Sequence, residues 1–494
     1  MAVKIAPLVL QPEYFLSPYQ DNPGISEREM FYFFRDHVAP YMTHLFDADF
    51  WPVITMQASQ VYPAVWHGIL AMAAMKQMKQ MKKEALNASI ANRMRLNYTF
   101  GLKQCNKTIQ YLGQIRDFST PREQEMLLIT CNVLIGYCNL LEDPAQAQAH
   151  LTHGLNLVKH WWYWKRTPSL GLSSRFPGCI APIASIDLLF LQMEMQLFTS
   201  PFPLSEYSWD FNRQNNESHE HLFLSPTEAY LEVLDIYTSC KRLTVLKPPS
   251  PGSVKPNGLQ NDMQSLKDRF SVKRTKLHNY LAVAELDQSK VENVDDSLKL
   301  SVLQIWEICG QVIFNINPKK ESLAWDDFNW HFERIVIMCE AALNQGNNSG
   351  MDRPHSKHKE LPSGYSRSLL SLIGHALQVV MGACRVRRTA HRAITLQKLH
   401  PYLDGVYDSK FNTEVALARL KLENDYAEAA SAQGTCACQA RRFVCNDHRV
   451  CFVGVEATGT DCTKMRMKTR EDLKNDGTGT VIQIPYTYNH AVLV

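Results

Sequence analysis

Along most of this chain, apolar side chains recur at three- and four-residue intervals, the spacing that lines one face of an α-helix. Val65, Ile69, Met72 and Ala73 mark one such face, and the polar run Lys76 to Glu84 follows it. Leu127, Val133, Leu134, Tyr137 and Leu141 mark a second, and Ala147, Leu151, Gly154, Leu155 and Val158 a third. Leu300 to Asn315, Phe328 to Leu343 and Ser366 to Val386 read the same way. Three places carry a helix start signal, a hydroxyl followed three residues later by Glu, so that each side chain satisfies an orphan amide of the other residue. These are Ser26 with Glu29, Thr120 with Glu123 and Ser225 with Glu228, the last two with Pro121 and Pro226 preset for the first turn. No strand-like alternation precedes about residue 440. Beyond it, Arg449 to Val455, Thr463 to Lys468 and Val481 to Tyr486 are short, partly alternating runs separated by Gly and Asp, which predicts a small antiparallel hairpin or three-stranded flap.

The expectation is therefore an all-α, multi-helix body with a small β-hairpin or flap at its C-terminal end. Residues 1–25 are Pro-rich and read as an extended lead-in. Residues 26–430 form the helical body, with polar, Pro-rich breaks near 199–224, 246–265 and 345–364. Residues 431–494 form a Cys-containing loop and the hairpin tail.

Composition changes this picture little. Of 494 residues, 52 are basic and 49 acidic, for a net charge of +3. A surface that neutralises many phosphates needs a marked basic excess, so the bulk of the fold is not expected to bind nucleic acid. There is no signal-peptide pattern, and the most apolar stretch noted, Val133 to Leu141, is far shorter than the roughly 18 residues of a membrane span, so no membrane partner is expected. Eight of the thirteen cysteines are scattered singly in apolar helical contexts, the setting of free buried thiols. The other five crowd into the last sixty residues.

Between Phe31 and Leu197 the chain resembles a known family. Phe46-Asp47-Ala48-Asp49-Phe50-Trp51 is followed by Gln57-Ala58-Ser59 and then by Tyr62-Pro63-Ala64-Val65-Trp66-His67-Gly68-Ile69. Tyr98, Cys105-Asn106-Lys107-Thr108-Ile109-Gln110-Tyr111-Leu112 and His150-Leu151-Thr152-His153-Gly154-Leu155 come next. This order is similar to the opening of the fungal-specific transcription factor domain of zinc-cluster regulators. Ala383 to Ile394, and Leu399-His400-Pro401-Tyr402-Leu403-Asp404-Gly405-Val406-Tyr407, look like its C-terminal third. The resemblance implies an all-helical regulatory body in the nucleus, without enzymatic activity, that controls a metabolic or secondary-metabolite biosynthetic gene cluster. Its implied partners are other transcription regulators or the transcription machinery, a small-molecule effector and a second copy or relative as dimer partner. Members usually begin with two Cys-x2-Cys-x6-Cys runs that bind zinc and read DNA. Residues 1–104 hold no cysteine, so the zinc-cluster head is expected to be missing and DNA contact to be indirect. Two alternatives stay open: a headless cofactor or decoy that dimerises with intact regulators, and a pathway enzyme on a helical scaffold.

Candidate chemistry is sparse. Cys436, Cys438, Cys445, His448, Cys451 and Cys462 supply soft ligands, but their spacing fits neither the two-pair zinc patterns nor the six-cysteine cluster, so unpaired thiols are expected. His219-Glu220-His221 lies in a polar break without a nearby third ligand and reads as a solvated loop. His150, His153 and His160 read as helix-surface residues. Trp161-Trp162-Tyr163-Trp164 ahead of Lys165-Arg166 suits core packing, nucleotide stacking or a pocket wall. Arg385, Arg387, Arg388 and Arg392 form the densest basic patch, a phosphate contact or a solvated helix end answering the backbone dipole. Met72, Met75, Met78 and Met81 form a stripe that suits either burial or a soft contact surface. The chain has no nucleophile elbow, phosphate loop, dinucleotide fingerprint or His-Glu-x-x-His helix. No catalytic, cofactor-binding or metal-binding residues, and no cofactors, are expected.

Overall fold

The structure is a computed structural model. It describes residues 25–81, 88–115, 117–161, 174–197, 223–246, 256–286, 294–316, 318–349, 364–400, 403–404, 407–434, 436–439, 443–458 and 462–485. The lead-in, His219-Glu220-His221, Trp162 to Arg166 and most of the three polar breaks lie outside the described residues. The fold is all-α with a small antiparallel sheet near the C-terminus, as the apolar spacing predicts. Contacts divide the chain into two units.

Unit 1 takes in Met1–Thr43, Ala48–Val158 and Ser173–Ile186. Its first helices are α1 (Ile25–Phe33), α2 (Ala39–Met42) and α3 (Thr55–Val61), joined by two π-helical turns at Phe34–Val38 and Phe50–Ile54. Four long helices follow: α4 (Pro63–Met81), α5 (Ala88–Gly113), α6 (Pro121–Leu141) and α7 (Pro144–His160). α4 is buried around nearly its whole circumference, with α5 and α6 against it, as an all-round apolar helix must be. Small residues let the backbones close in. A Cβ added at Gly68 would stand 2.6 Å from Val133 Cγ1. The methionine stripe on α4 is fully buried, which identifies it as core rather than contact surface. α6 is long and apolar enough to cross a membrane by length and composition, and most of it is buried within the fold. Its start is the Thr120–Glu123 capping box, complete in both directions. It ends where Glu142 takes a left-handed conformation.

Two buried polar assemblies tie unit 1 together. The Glu125 carboxylate accepts from the Ile180 and Ala181 amides (2.8 and 2.6 Å to Oε1) and from the Tyr62 hydroxyl (2.6 Å). His67 Nδ1 meets Gln104 Oε1 at 2.6 Å, and Gln104 and Lys107 donate to Glu27. α1 runs from Ile25 to Phe33 and includes Ser26 and Glu29.

Unit 2 takes in His44–Asp47, Lys159–Leu172 and Asp187–Val494. It contains α8 (Ile183–Leu197) from Asp187 onward, α9 (Pro226–Leu246), α10 (Pro256–Leu286), α11 (Val294–Phe314), a 3₁₀ segment at Pro318–Phe328, α12 (Asn329–Ser349), α13 (Gly364–Ala383) and α14 (Arg387–Leu399). The Ser225–Glu228 signal does open α9, but Glu228 accepts from the Leu224 amide instead of that of Ser225. α10 begins at Pro256, so helix occupies the second half of the stretch 246–265. One large core runs through these helices, with Phe46 stacked on Tyr230 at 4.0 Å. A buried bidentate pair, Arg242 with Glu194, links α9 to α8 at 2.7 and 2.6 Å.

A two-residue hairpin that the alternation gave no sign of, β1 (Leu403–Asp404) with β2 (Tyr407–Asp408), leads into α15 (Ser409–Gln433). The flap then follows as β3 (Val450–Thr458), β4 (Cys462–Thr469), the short α16 (Arg470–Lys474) and β5 (Thr480–Pro485), antiparallel in the order β3-β4-β5. Thr463, Met465, Met467 and Thr469 alternate inward along β4. Met465 and Ile484 pack on Phe411 of α15.

Candidate functional site

Three arginines converge at the end of α13. Arg385 follows the helix, Arg419 comes from α15, and Arg449 immediately precedes β3. Arg385 and Arg419 both donate to carbonyls of the last turn of α13. Arg385 Nη1 reaches Gly382 and Ala383 at 3.0 and 2.9 Å, and Arg419 reaches Gly382 and Met381 at 3.0 and 2.6 Å. A cation at that position answers the helix dipole. Arg449 is 1% exposed. Its guanidinium grips Asp326 through two bonds of 3.1 and 2.7 Å and donates to the Ser322 and Val444 carbonyls. Glu423 is the second carboxylate. It accepts from the Val450 amide at 3.0 Å and stands 3.1 Å from Arg385 Nε. That last contact is a charge pairing without hydrogen-bond alignment, because Arg385 Nε has no aligned acceptor among the described residues.

Arg385, Arg449, Asp326 and Glu423 line a cavity of about 630 Å³, together with Asn329, Val386, Arg387, His391, Leu417, Leu420, Lys421, Asn424, Phe443 and Val444; Arg419 stands behind this wall, on the α13 carbonyls. Arg385 and Arg449 face two carboxylates at its base, and Arg387 and Lys421 add charge at its exposed rim. Burial pushes Arg385 down to about 9, with the Arg419 charge adding to the effect and Glu423 opposing it. Burial also lowers Arg419. Four cations thus line the cavity against two carboxylates; the excess sits at the exposed rim, and the pairs at the buried base are poorly screened by water.

Beside this cavity lies a sulfur cluster. Cys436, Cys438 and Cys445 place their Sγ atoms 3.5, 3.3 and 3.3 Å from Nδ1 of His448, and all four ligand atoms lie within 4.8 Å of one another. Two backbone amides point at sulfur, Cys438 N at Cys436 Sγ (3.3 Å) and Cys445 N at Cys438 Sγ (3.2 Å). The other ring nitrogen of His448 faces Glu471 Oε2 at 3.1 Å, and the ring stacks on Tyr426. Burial is the main cause pushing the Cys438 thiol up to about 12; the Cys445 amide works against it and the Cys436 and Cys445 side chains with it. The four groups meet because the chain folds back on itself. Gln439 and Phe443 exchange two 2.9 Å backbone bonds, which carries Cys445 back to Cys438.

The pattern of the fungal specific transcription factor domain matches residues 29–315. The chain belongs to that family. No curated protein and no solved structure matches it. The family's match ends before the cavity and the cluster, so both lie on a part of the chain that the match leaves undescribed.

The structure redistributes the residues singled out from the sequence. The basic patch splits: Arg385 goes to the cavity base and Arg387 to its rim, while Arg388 is exposed and Arg392 pairs with Glu340 on the surface. Arg387, Arg388 and Arg392 lie on α14, which starts at Arg387, so only Arg385 answers a helix C-terminus. His150, His153 and His160 lie on α7, and among the described residues they belong to no cluster of three ligand groups. Trp161 ends that segment, and its aromatic neighbours are outside the described residues. Of the soft C-terminal ligands expected as separate thiols, four are brought together, and Cys451 and Cys462 stay apart on β3 and β4. Linear spacing missed this because the Gln439–Phe443 reversal, not a repeated Cys pair, sets the geometry. Arg449, Glu423 and Asp326 carried no sequence signal at all.

Proposed function

We propose that the helical body is the sensing module of a nuclear transcription regulator, and that the arginine-lined cavity of unit 2 takes an anionic small molecule. One observation carries the reading: the cavity sets the buried Arg385 and Arg449 against Glu423 and Asp326, and its rim adds Arg387 and Lys421, so four cations line it against two carboxylates. A carboxylate or phosphate offered there completes the charge balance with bidentate, charge-assisted bonds. Binding favours whichever packing of α13, α14 and α15 holds the arginines in place, and the resulting population shift alters the surface offered to partner regulators. The module performs no chemistry of its own. Control of a metabolic or biosynthetic gene cluster is consistent with an anionic metabolite as effector.

The test is a thermal-shift screen of the full chain against small carboxylates and sugar phosphates, repeated on Arg387→Glu/Lys421→Glu. Both rim residues are exposed, so the variant should fold. A subset of anions should raise the melting temperature of the wild type and lose that effect in the variant. If no anion shifts the wild type, or if the variant responds equally, the effector reading fails. Fused to a heterologous DNA-binding domain, the chain should make reporter output depend on the same anions.

A further inference from the structure

The geometry points to a structural zinc ion held by Cys436 Sγ, Cys438 Sγ, Cys445 Sγ and His448 Nδ1. Three thiols converge on one ring nitrogen at nearly equal distances of 3.3 to 3.5 Å. Hydrogen bonding does not account for this, since a neutral imidazole nitrogen offers a single lone pair and satisfies one thiol, not three. Tetrahedral zinc does. With bonds of about 2.3 Å to sulfur and about 2.0 Å to nitrogen, it sets each sulfur about 3.5 Å from the nitrogen and about 3.8 Å from the other sulfurs.

Two surrounding features agree with an ion rather than with thiols packed by chance. Glu471 Oε2 stands 3.1 Å from His448 Nε2, a carboxylate placed to favour the ring proton on that nitrogen and to leave Nδ1 as the ligand. The Cys438 and Cys445 amides point at sulfur, the arrangement that stabilises thiolate charge. Binding replaces three S–H bonds by three Zn–S bonds and releases three protons to solvent.

The ion would pin residues 436–448 to α15, whose Ala427 and Ala430 already pack on Cys436, Cys438, Val444 and Cys445. Phe443, Val444 and Arg449 of the neighbouring cavity belong to the same turn of chain. The zinc assignment stands without the effector reading, since it uses none of the cavity's charges.

The experiment is metal analysis of the full chain purified under reducing conditions without chelator, followed by replacement of the metal with cobalt(II). We expect about one zinc per chain, and with cobalt a thiolate-to-metal charge-transfer band plus the intense visible bands of a tetrahedral thiolate site. Cys438→Ser should abolish both bands, and Cys451→Ser and Cys462→Ser should keep them. Glu471→Gln should keep the bands and weaken metal affinity by about 10- to 100-fold. The cobalt spectrum of the wild type decides the matter even if Cys438→Ser fails to fold. A folded wild type that takes up no zinc after reconstitution, that binds cobalt without thiolate bands, or that carries a disulfide among these cysteines under reducing conditions overturns the assignment.

Discussion

At the scale of single residues, the buried pair Arg242–Glu194 has the most at stake. Both side chains are almost wholly removed from water, so truncating one leaves an uncompensated charge in the core. Glu194→Ala should cost about 3 to 5 kcal/mol in urea unfolding, whereas Glu340→Ala, at the exposed pair with Arg392, should change stability by no more than about 1 kcal/mol. Equal costs at the two sites would mean that burial does not set the difference. The same contrast explains what could be read in advance. Thr120 and Glu123 announce themselves because their partners are three residues apart, and the structure forms the box in full. Glu194 and Arg242 are 48 residues apart, Asp326 and Arg449 123 apart, and nothing in the local pattern pairs them. The four zinc ligands fall between these cases. They are near in sequence, but the reversal at Gln439–Phe443 that joins them is formed by backbone bonds, on which side-chain spacing has no bearing.

At the scale of elements, helix periodicity translated directly into structure because an apolar stripe must find cover whatever covers it. The flap strands were legible for the same reason at period two: Met465 and Met467 face in while their neighbours face out. The π-helical turns at Phe34–Val38 and Phe50–Ile54 and the 3₁₀ segment before α12 were not, since each keeps the composition of an ordinary helix while changing its hydrogen-bond register. Glycine marks how tightly α4 is held. Gly68→Ala would drive its new methyl into Val133 and should cost about 1 to 3 kcal/mol. Gly113→Ala at the end of α5 meets no atom within 4 Å and should be neutral or stabilise by up to about 1 kcal/mol. Thermal unfolding of the two variants checks the pair, and a harmless Gly68→Ala would show that α4 and α6 have room to separate.

At the scale of the whole molecule, both units store neutral histidine. Burial holds His44 of unit 2 down to about 3, and burial also lowers His67 and His150 in unit 1 and His331 in unit 2. A folded-state value below the ordinary 6.5 means that the unfolded chain takes up the proton first, so stability is whole above 6.5 and drains away as the pH falls from there toward 3. His44 alone should remove about 3 kcal/mol by about pH 4. Urea midpoints measured between neutrality and that pH should fall steadily. A flat profile would mean that water or a carboxylate reaches the His44 ring in the folded chain.

α15 serves three neighbours in succession along one rod. Phe411 seats the flap, Leu417 to Asn424 wall the cavity, and Ala427 and Ala430 back the sulfur cluster. A C-terminal truncation made to find an output surface would remove more than that surface. In this chain any cut between residues 409 and 449 would also dismantle the cavity, so loss of activity after truncation would not by itself identify an output surface. Point substitutions on the outer faces of β3 and β5 separate the two, because they leave the rod intact.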